Sequence, residues 1–182
     1  MGIINYIKQF MKEKRKINQR VEAELESLEV KDEEKVKSTR DQFLETLTKI
    51  GCQYEVDPEN GNIGFGYQGE NFVASVTNEE WYVHIWDYYW GHVELYDIDE
   101  FSRLRKAVNY ANLNCATITV YTINKEGNTV DLHCKATFPF IAQLPDLENY
   151  LRVFLNNFFK AHHLVGNEMA KLREQEENAQ VN

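Results

Sequence analysis

Cysteine and long apolar runs are scarce in this sequence, and each scarcity excludes a class of protein. The three cysteines, Cys52, Cys115 and Cys134, form an odd set with no C-x-x-C spacing. Neither a disulfide framework nor a thiolate zinc site is therefore indicated. No apolar run approaches the length of about 18 residues that a membrane-spanning helix needs, and no secretory signal is visible. We expect a cytoplasmic protein that uses no metal ion or other cofactor.

Positive charge is also in short supply. The 20 Lys and Arg are outnumbered by 29 Asp and Glu, the net charge is -9, and no Lys or Arg occurs between residues 50 and 102. Such a body is poorly suited to bind nucleic acid. An apolar share of 43% with 13% aromatics nevertheless predicts a packed core.

The first 50 residues have helical spacing. Apolar residues recur three or four positions apart, and neither Gly nor Pro occurs between Gly2 and Gly51. We interpret residues 1–34 as an N-terminal helical arm and residues 35–50 as a second helix, with one continuous helix as the alternative. Six basic residues and one acidic residue lie between Ile3 and Arg20, so the arm suits packing on the domain, on a second copy or on an anionic membrane surface.

Downstream of Cys52 the apolar period becomes two, which is typical of strands. Three short strands and a fourth over Trp81–Tyr89 precede a helix that starts at Asp97, and two more strands, over residues 117–123 and 129–138, precede a final helix over residues 146–165. The order α-ββββ-α-ββ-α predicts an α+β fold, in which helices cover one face of an antiparallel sheet of about six strands. We place this single domain at residues 35–167 and a polar C-terminal tail, fraying from Lys171, at residues 168–182.

Gly64 to Gly69 match G-x-G-x-x-G. In a dinucleotide site the last glycine opens a helix, whereas here Glu70 to Val73 continue as a strand. A kinase-type loop needs a lysine on the next strand, and that strand has none. We interpret the segment as a hairpin in which glycines leave one sheet face flat.

The fourth strand carries the densest cluster of aromatic residues. Alternation places one set of side chains on a shared face, namely Tyr82, His84, Trp86, Tyr88 and Trp90. Such rings with polar tips suit a protein-binding face. The alternative is that the set packs beneath a helix.

The final helix has apolar residues on two adjoining stripes. One sheet contact covers only one stripe, so Leu155, Phe159 and His162 are expected to contact either the arm or a second copy. Contact with a second copy would form a homodimer, in which a two-fold axis relates the two patches.

Several segments resemble the YbjN family of bacterial proteins, assigned to the regulation of sensory transduction. The resemblance spans residues 36–165 and is carried by Gly51–Asp57, Ile63–Tyr67, Val108–Asn114, Glu126–Val130 and Phe138–Pro139. It implies the fold of the type III secretion chaperones, small acidic proteins that are commonly dimers and bind extended segments of other proteins without catalysis. The resemblance therefore favours a homodimer over a contact between the final helix and the arm. The N-terminal arm and the Trp-rich strand depart from the family pattern.

These observations favour a non-enzymatic, chaperone-like or regulatory domain that binds a segment of another bacterial protein and has no catalytic residues. The second hypothesis is an enzyme or small-ligand binder with a pocket lined by Tyr82, His84, Trp86 and Tyr88. The third is a membrane-surface adaptor that uses the basic arm.

Overall fold

A computed structural model of the chain describes residues 38–181. The N-terminal arm over residues 1–34 lies outside the described residues. The first described helix, α1, spans Thr39–Lys49, and Ser38 before it has an extended backbone. A single continuous helix over residues 1–50 is therefore excluded. Gly51 ends α1 with a φ of +86°, a conformation that glycine adopts without steric cost.

The remaining elements follow the predicted order. They are β1 Tyr54–Val56, β2 Ile63–Tyr67, β3 Glu70–Ser75, β4 Tyr82–Glu94, α2 Ile98–Asn114, β5 Ile118–Asn124, β6 Thr129–Pro139 and α3 Leu147–Val181. All neighbouring strands are antiparallel, and their spatial order is β1-β2-β3-β4-β6-β5. The α+β fold, with helices packed on one sheet, is confirmed.

Two hydrophobic clusters fill the space between the sheet and the helices. The larger joins α1 and the N-terminal half of α3 to β2, β3, β4 and β6, and its fully buried rings include Phe43, Phe72 and Phe158. The smaller joins α2 to the C-terminal half of α3 through Leu104, Val165 and their neighbours. We call the sheet face beneath the helices the inner face and the opposite one the outer face.

The helix α3 is longer at its C-terminal end than the sequence predicted. It continues to Val181, so the prediction that the chain frays from Lys171 is wrong. Beyond the predicted end, Met169 is buried in the smaller cluster, and Arg103 of α2 contacts Glu176 at 2.6 Å. Packing and ion pairing with α2 thus stabilise helical structure in the residues that were predicted to form a polar tail.

The second correction concerns the three α3 residues that were expected to contact either the arm or a second copy. Leu155 is fully buried in the larger cluster, the Phe159 ring lies 6.2 Å from Tyr67, and His162 contacts Asp87. The sheet is broad enough to cover both apolar stripes of the helix. These residues therefore do not form an uncovered patch, and α3 gives no reason to expect a dimer.

Candidate functional site

The outer face of the sheet has no described helix packed on it. Four of the five predicted residues share this face, namely Tyr82, His84, Trp86 and Tyr88, because their β4 neighbours Val83, Ile85 and Asp87 are buried on the inner face. Tyr82 is 50% exposed and Tyr88 is 44% exposed. We call these four residues the aromatic row. Its residues form a surface along one strand, and no helix among residues 38–181 covers them.

The centre of the row is an ordered stack of rings. Trp86 and Tyr88 lie 5.2 Å apart with an interplanar angle of 3°. The Lys135 ammonium group, on the neighbouring strand, lies 5.4 Å from the centroid of the Trp86 ring, a distance that allows cation–π attraction. At the end of the row, Nδ1 of His84 lies 2.9 Å from Oγ1 of Thr137. Cross-strand contacts therefore hold the row in place before any partner arrives.

Trp90 does not belong to the row, and its predicted place there is wrong. Tyr88 pairs with His133 and Gly91 with the next β6 residue, Leu132, so two residues of β4 have no opposite partner. In this bulge the Tyr89 backbone has a φ of +59°. Tyr89 becomes exposed on the surface, whereas Trp90 turns inward and stacks on His162 with ring centroids 4.1 Å apart.

His133 supports the bulge from β6, and sequence reasoning did not single it out. The backbone N–H of Tyr89 donates to Nδ1 of His133 at 3.2 Å, so Nε2 must carry the proton of the neutral ring. Nε2 can then donate to Oγ1 of Thr122, 2.8 Å away. Burial lowers the pKa of His133 below its ordinary value of 6.5, although the carboxylates of Asp131 and Asp87 act in the opposite direction.

A groove adjoins the aromatic row over β1, β2 and β3. Gly64 and Gly66 form its floor, and a Cβ atom added at Gly64 would meet nothing within 4 Å. Its volume is about 880 Å³, and Glu55 is the only charged residue among those that line it. Val73 lines the groove and pairs with Trp86, so groove and row are continuous. The glycines of the G-x-G-x-x-G segment thus leave the outer face flat, as predicted.

A cluster of polar groups lies on the inner face beneath the row. Asp87 is 1% exposed, and its Oδ2 lies 2.9 Å from Nε2 of His162. The two atoms are not aligned for a hydrogen bond and have no other partner in the described structure. Burial raises the pKa of the neighbouring Cys134 thiol to about 12. Cys134 is therefore a protonated thiol at neutral pH and lacks the thiolate character of a nucleophile.

Residues 38–181 offer neither a metal centre nor a membrane-spanning helix. Within that range no three His, Cys, Asp or Glu side chains cluster as metal ligands would. The described helices also include none whose length and apolarity would suit a bilayer crossing.

Comparison with known proteins bears on the fold alone. No family model matches the chain, and no curated protein matches it. Among solved structures it is similar to the crystal structure of an uncharacterized protein from Methanothermobacter thermautotrophicus, with 13% sequence identity and a TM-score of 0.50. The match covers 73% of this chain and 97% of the archaeal chain.

Proposed function

We propose that this chain is a non-enzymatic protein-binding domain, chaperone-like or regulatory, whose outer sheet face binds a segment of another protein. The observation that supports this most is the Trp86–Tyr88 stack, which lies on the sheet face opposite the described helices. Large flat rings with polar tips provide contact area at a low cost in side-chain entropy, and they are enriched at protein interfaces.

The shape of the outer face suits an extended segment. The groove continues from the glycine floor to Val73 and onto Trp86, so one stretch of chain can lie over three strands. Binding to such a surface needs no closed cavity. This mode agrees with the resemblance to the YbjN family and to type III secretion chaperones, which implies binding of extended segments from bacterial proteins.

The charge of the outer face argues against a nucleic acid as the bound chain. Single-stranded nucleic acid is held by aromatic rings interleaved with several basic residues. Lys135 is the one basic residue in contact with the row among those described, and the groove lining carries only the negative charge of Glu55. We infer a protein segment that is neutral or modestly basic.

An enzyme or small-ligand binder is less well supported. Its expected pocket would be lined by Tyr82, His84, Trp86 and Tyr88, but these side chains follow one strand on an open surface. Tyr82 and His84 line a separate pocket of about 430 Å³ with Glu79, Glu80 and Trp81. Trp86 and Tyr88 do not line this pocket. The membrane-adaptor hypothesis concerns the arm, outside the described residues.

The experiment that tests the proposal is affinity capture from the source cell with paired variants. We expect Trp86→Ala with Tyr88→Ala to reduce the recovered partner at least tenfold, because central aromatic residues each contribute about 2 kcal/mol or more at such interfaces. Tyr96→Ala is the matched control, since Tyr96 is also an exposed aromatic residue but lies outside the row. Equal loss with both variants, or with neither, would contradict the proposal.

A further inference from the structure

The two edges of the sheet are protected unequally. The edge strand β1 has only three residues, of which Glu55 is charged, and Pro58 follows in the next turn. The other edge strand, β5, has seven residues with neither charge nor proline. Proteins usually protect such edges with charge, proline or a bulge, because an open edge pairs with another strand.

One side chain covers the beginning of this edge. The carboxamide of Asn112 accepts from the backbone N–H of Thr119 at 2.8 Å and donates to the carbonyl oxygen of Thr119 at 3.0 Å. Both backbone groups of Thr119 therefore point away from β6. Because these directions alternate along an antiparallel strand, the backbone groups of Tyr121 and Ile123 point outward too. Neither residue's outward groups have a hydrogen-bond partner in the described structure.

We propose that β5 pairs antiparallel with β5 of a second copy of this chain, joining two six-stranded sheets across a two-fold axis at Thr122. In this register Tyr121 lies opposite Ile123 of the second copy, and Ile123 lies opposite Tyr121 of the second copy. Each of these two pairs exchanges two backbone hydrogen bonds, so the interface has four. A register centred on Tyr121 would also require the backbone groups of Thr119, which Asn112 already occupies. The cap by Asn112 thus excludes the register centred on Tyr121.

A second copy fits this edge because the open segment complements itself. Two exposed pairs of backbone groups, separated by one residue, match the same arrangement turned through a two-fold axis. Each copy carries a net charge of -9, which opposes association generally, but β5 itself is uncharged. Ile123 is 53% exposed, and Tyr121, on the same face of the strand, is 36% exposed. This interface replaces the α3 contact that the sequence suggested.

Disulfide trapping tests the register directly. At the proposed axis the two Thr122 residues form a non-hydrogen-bonded pair, whose Cα atoms lie about 4.5 Å apart, within the range of a disulfide. We expect Thr122→Cys in the full-length chain to cross-link rapidly under mild oxidation. Val120→Cys is the matched control on the same strand face, because Val120 lies opposite Asn124 of the second copy. Equal cross-linking of both variants, or of neither, would overturn the proposal.

Sedimentation equilibrium of the full-length chain provides an independent test. The backbone N–H of Ile123 faces away from β6, so Ile123→Pro should remove two of the four intermolecular hydrogen bonds while leaving the β5–β6 ladder intact. We expect association to weaken about 25-fold, at a factor of about 5 per bond, whereas Ile123→Val, which keeps the N–H group, should dimerise normally. Circular dichroism checks that both variants fold. A wild-type mass of 21.4 kDa at about 300 μM, or a dimer unaffected by Ile123→Pro, would overturn the proposal.

Discussion

The backbone N–H of Tyr89 donates to Nδ1 of His133 across two neighbouring strands, and this bond holds the bulge that adjoins the aromatic row. Because Nδ1 accepts that bond, protonation at Nδ1 would place its N–H group opposite the N–H group of Tyr89, and the hydrogen bond would be lost. The bulge that exposes Tyr89 therefore depends on a neutral histidine. At low pH the edge of the proposed binding surface should loosen.

The first prediction concerns pH and His133. The pKa of His133 is lowered in the folded state, so folding favours the neutral ring. This contribution to the free energy of unfolding is fully present above the unfolded-state pKa of about 6.5 and is lost as pH falls below it. NMR titration should give His133 a midpoint below its ordinary value of about 6.5. A midpoint at or above about 6.5 would contradict this assignment.

The second prediction concerns the ion-pair network between α2 and α3. Glu100 contacts both Arg173 and Arg103, and the hydrogen bond from Arg173 is the main cause that lowers the pKa of Glu100 below 4.5. Its contribution is therefore present above about pH 4.5 and is lost as pH falls further. Glu100→Gln should reduce the free energy of unfolding by about 1 kcal/mol at pH 7, since both arginines are partly solvated.

Urea denaturation at pH 7 and at pH 3.5 measures that effect, and the difference between variant and wild type should shrink at the lower pH. Glu168→Gln is the matched control, because Glu168 contacts Lys171 within one turn of the same helix and such a pair contributes about 0.5 kcal/mol or less. A loss for Glu168→Gln as large as that for Glu100→Gln would show that α2–α3 pairing is not the cause.

The third prediction distinguishes a core residue from an interface residue on α3. Leu155 is fully buried within one chain, so Leu155→Ala should reduce the free energy of unfolding by about 2 to 5 kcal/mol. Val153→Ala, at a position that is 51% exposed, should change it by about 0.5 kcal/mol or less. Thermal denaturation of dilute protein measures both. A Leu155→Ala protein of unchanged stability but altered mass would restore the intermolecular assignment.

Local periodicity predicted most of the fold. The β6 residues Val130, Leu132 and Cys134 alternate with polar neighbours in the sequence, and all three are buried on the inner face. Asp97 was expected to cap α2, and its side chain does accept from the backbone N–H of Glu100. Such features depend on near neighbours in the chain, which is why a single sequence reveals them.

The errors came from features that depend on distant residues. The alternation of side chains along β4 placed Trp90 in the aromatic row. No nearby residue in the sequence indicates the bulge, because the bulge arises from pairing with β6. His133 could have been noticed on the solvent-facing side of its strand, but its contact with Tyr89 depends on the same register. The covering of α3 likewise depends on the breadth of the sheet and on α2, neither of which the helix sequence encodes.

The central claim is that the outer face binds another protein through the Trp86–Tyr88 stack. The most direct measurement is the indole N–H spectrum of ¹⁵N-labelled protein, titrated with the partner recovered by capture. We expect the Trp86 signal to shift or broaden at a partner concentration near the dissociation constant, while the signal of Trp90, on the inner side of the sheet, stays in place. A complex that forms without changing the Trp86 signal would contradict the claim.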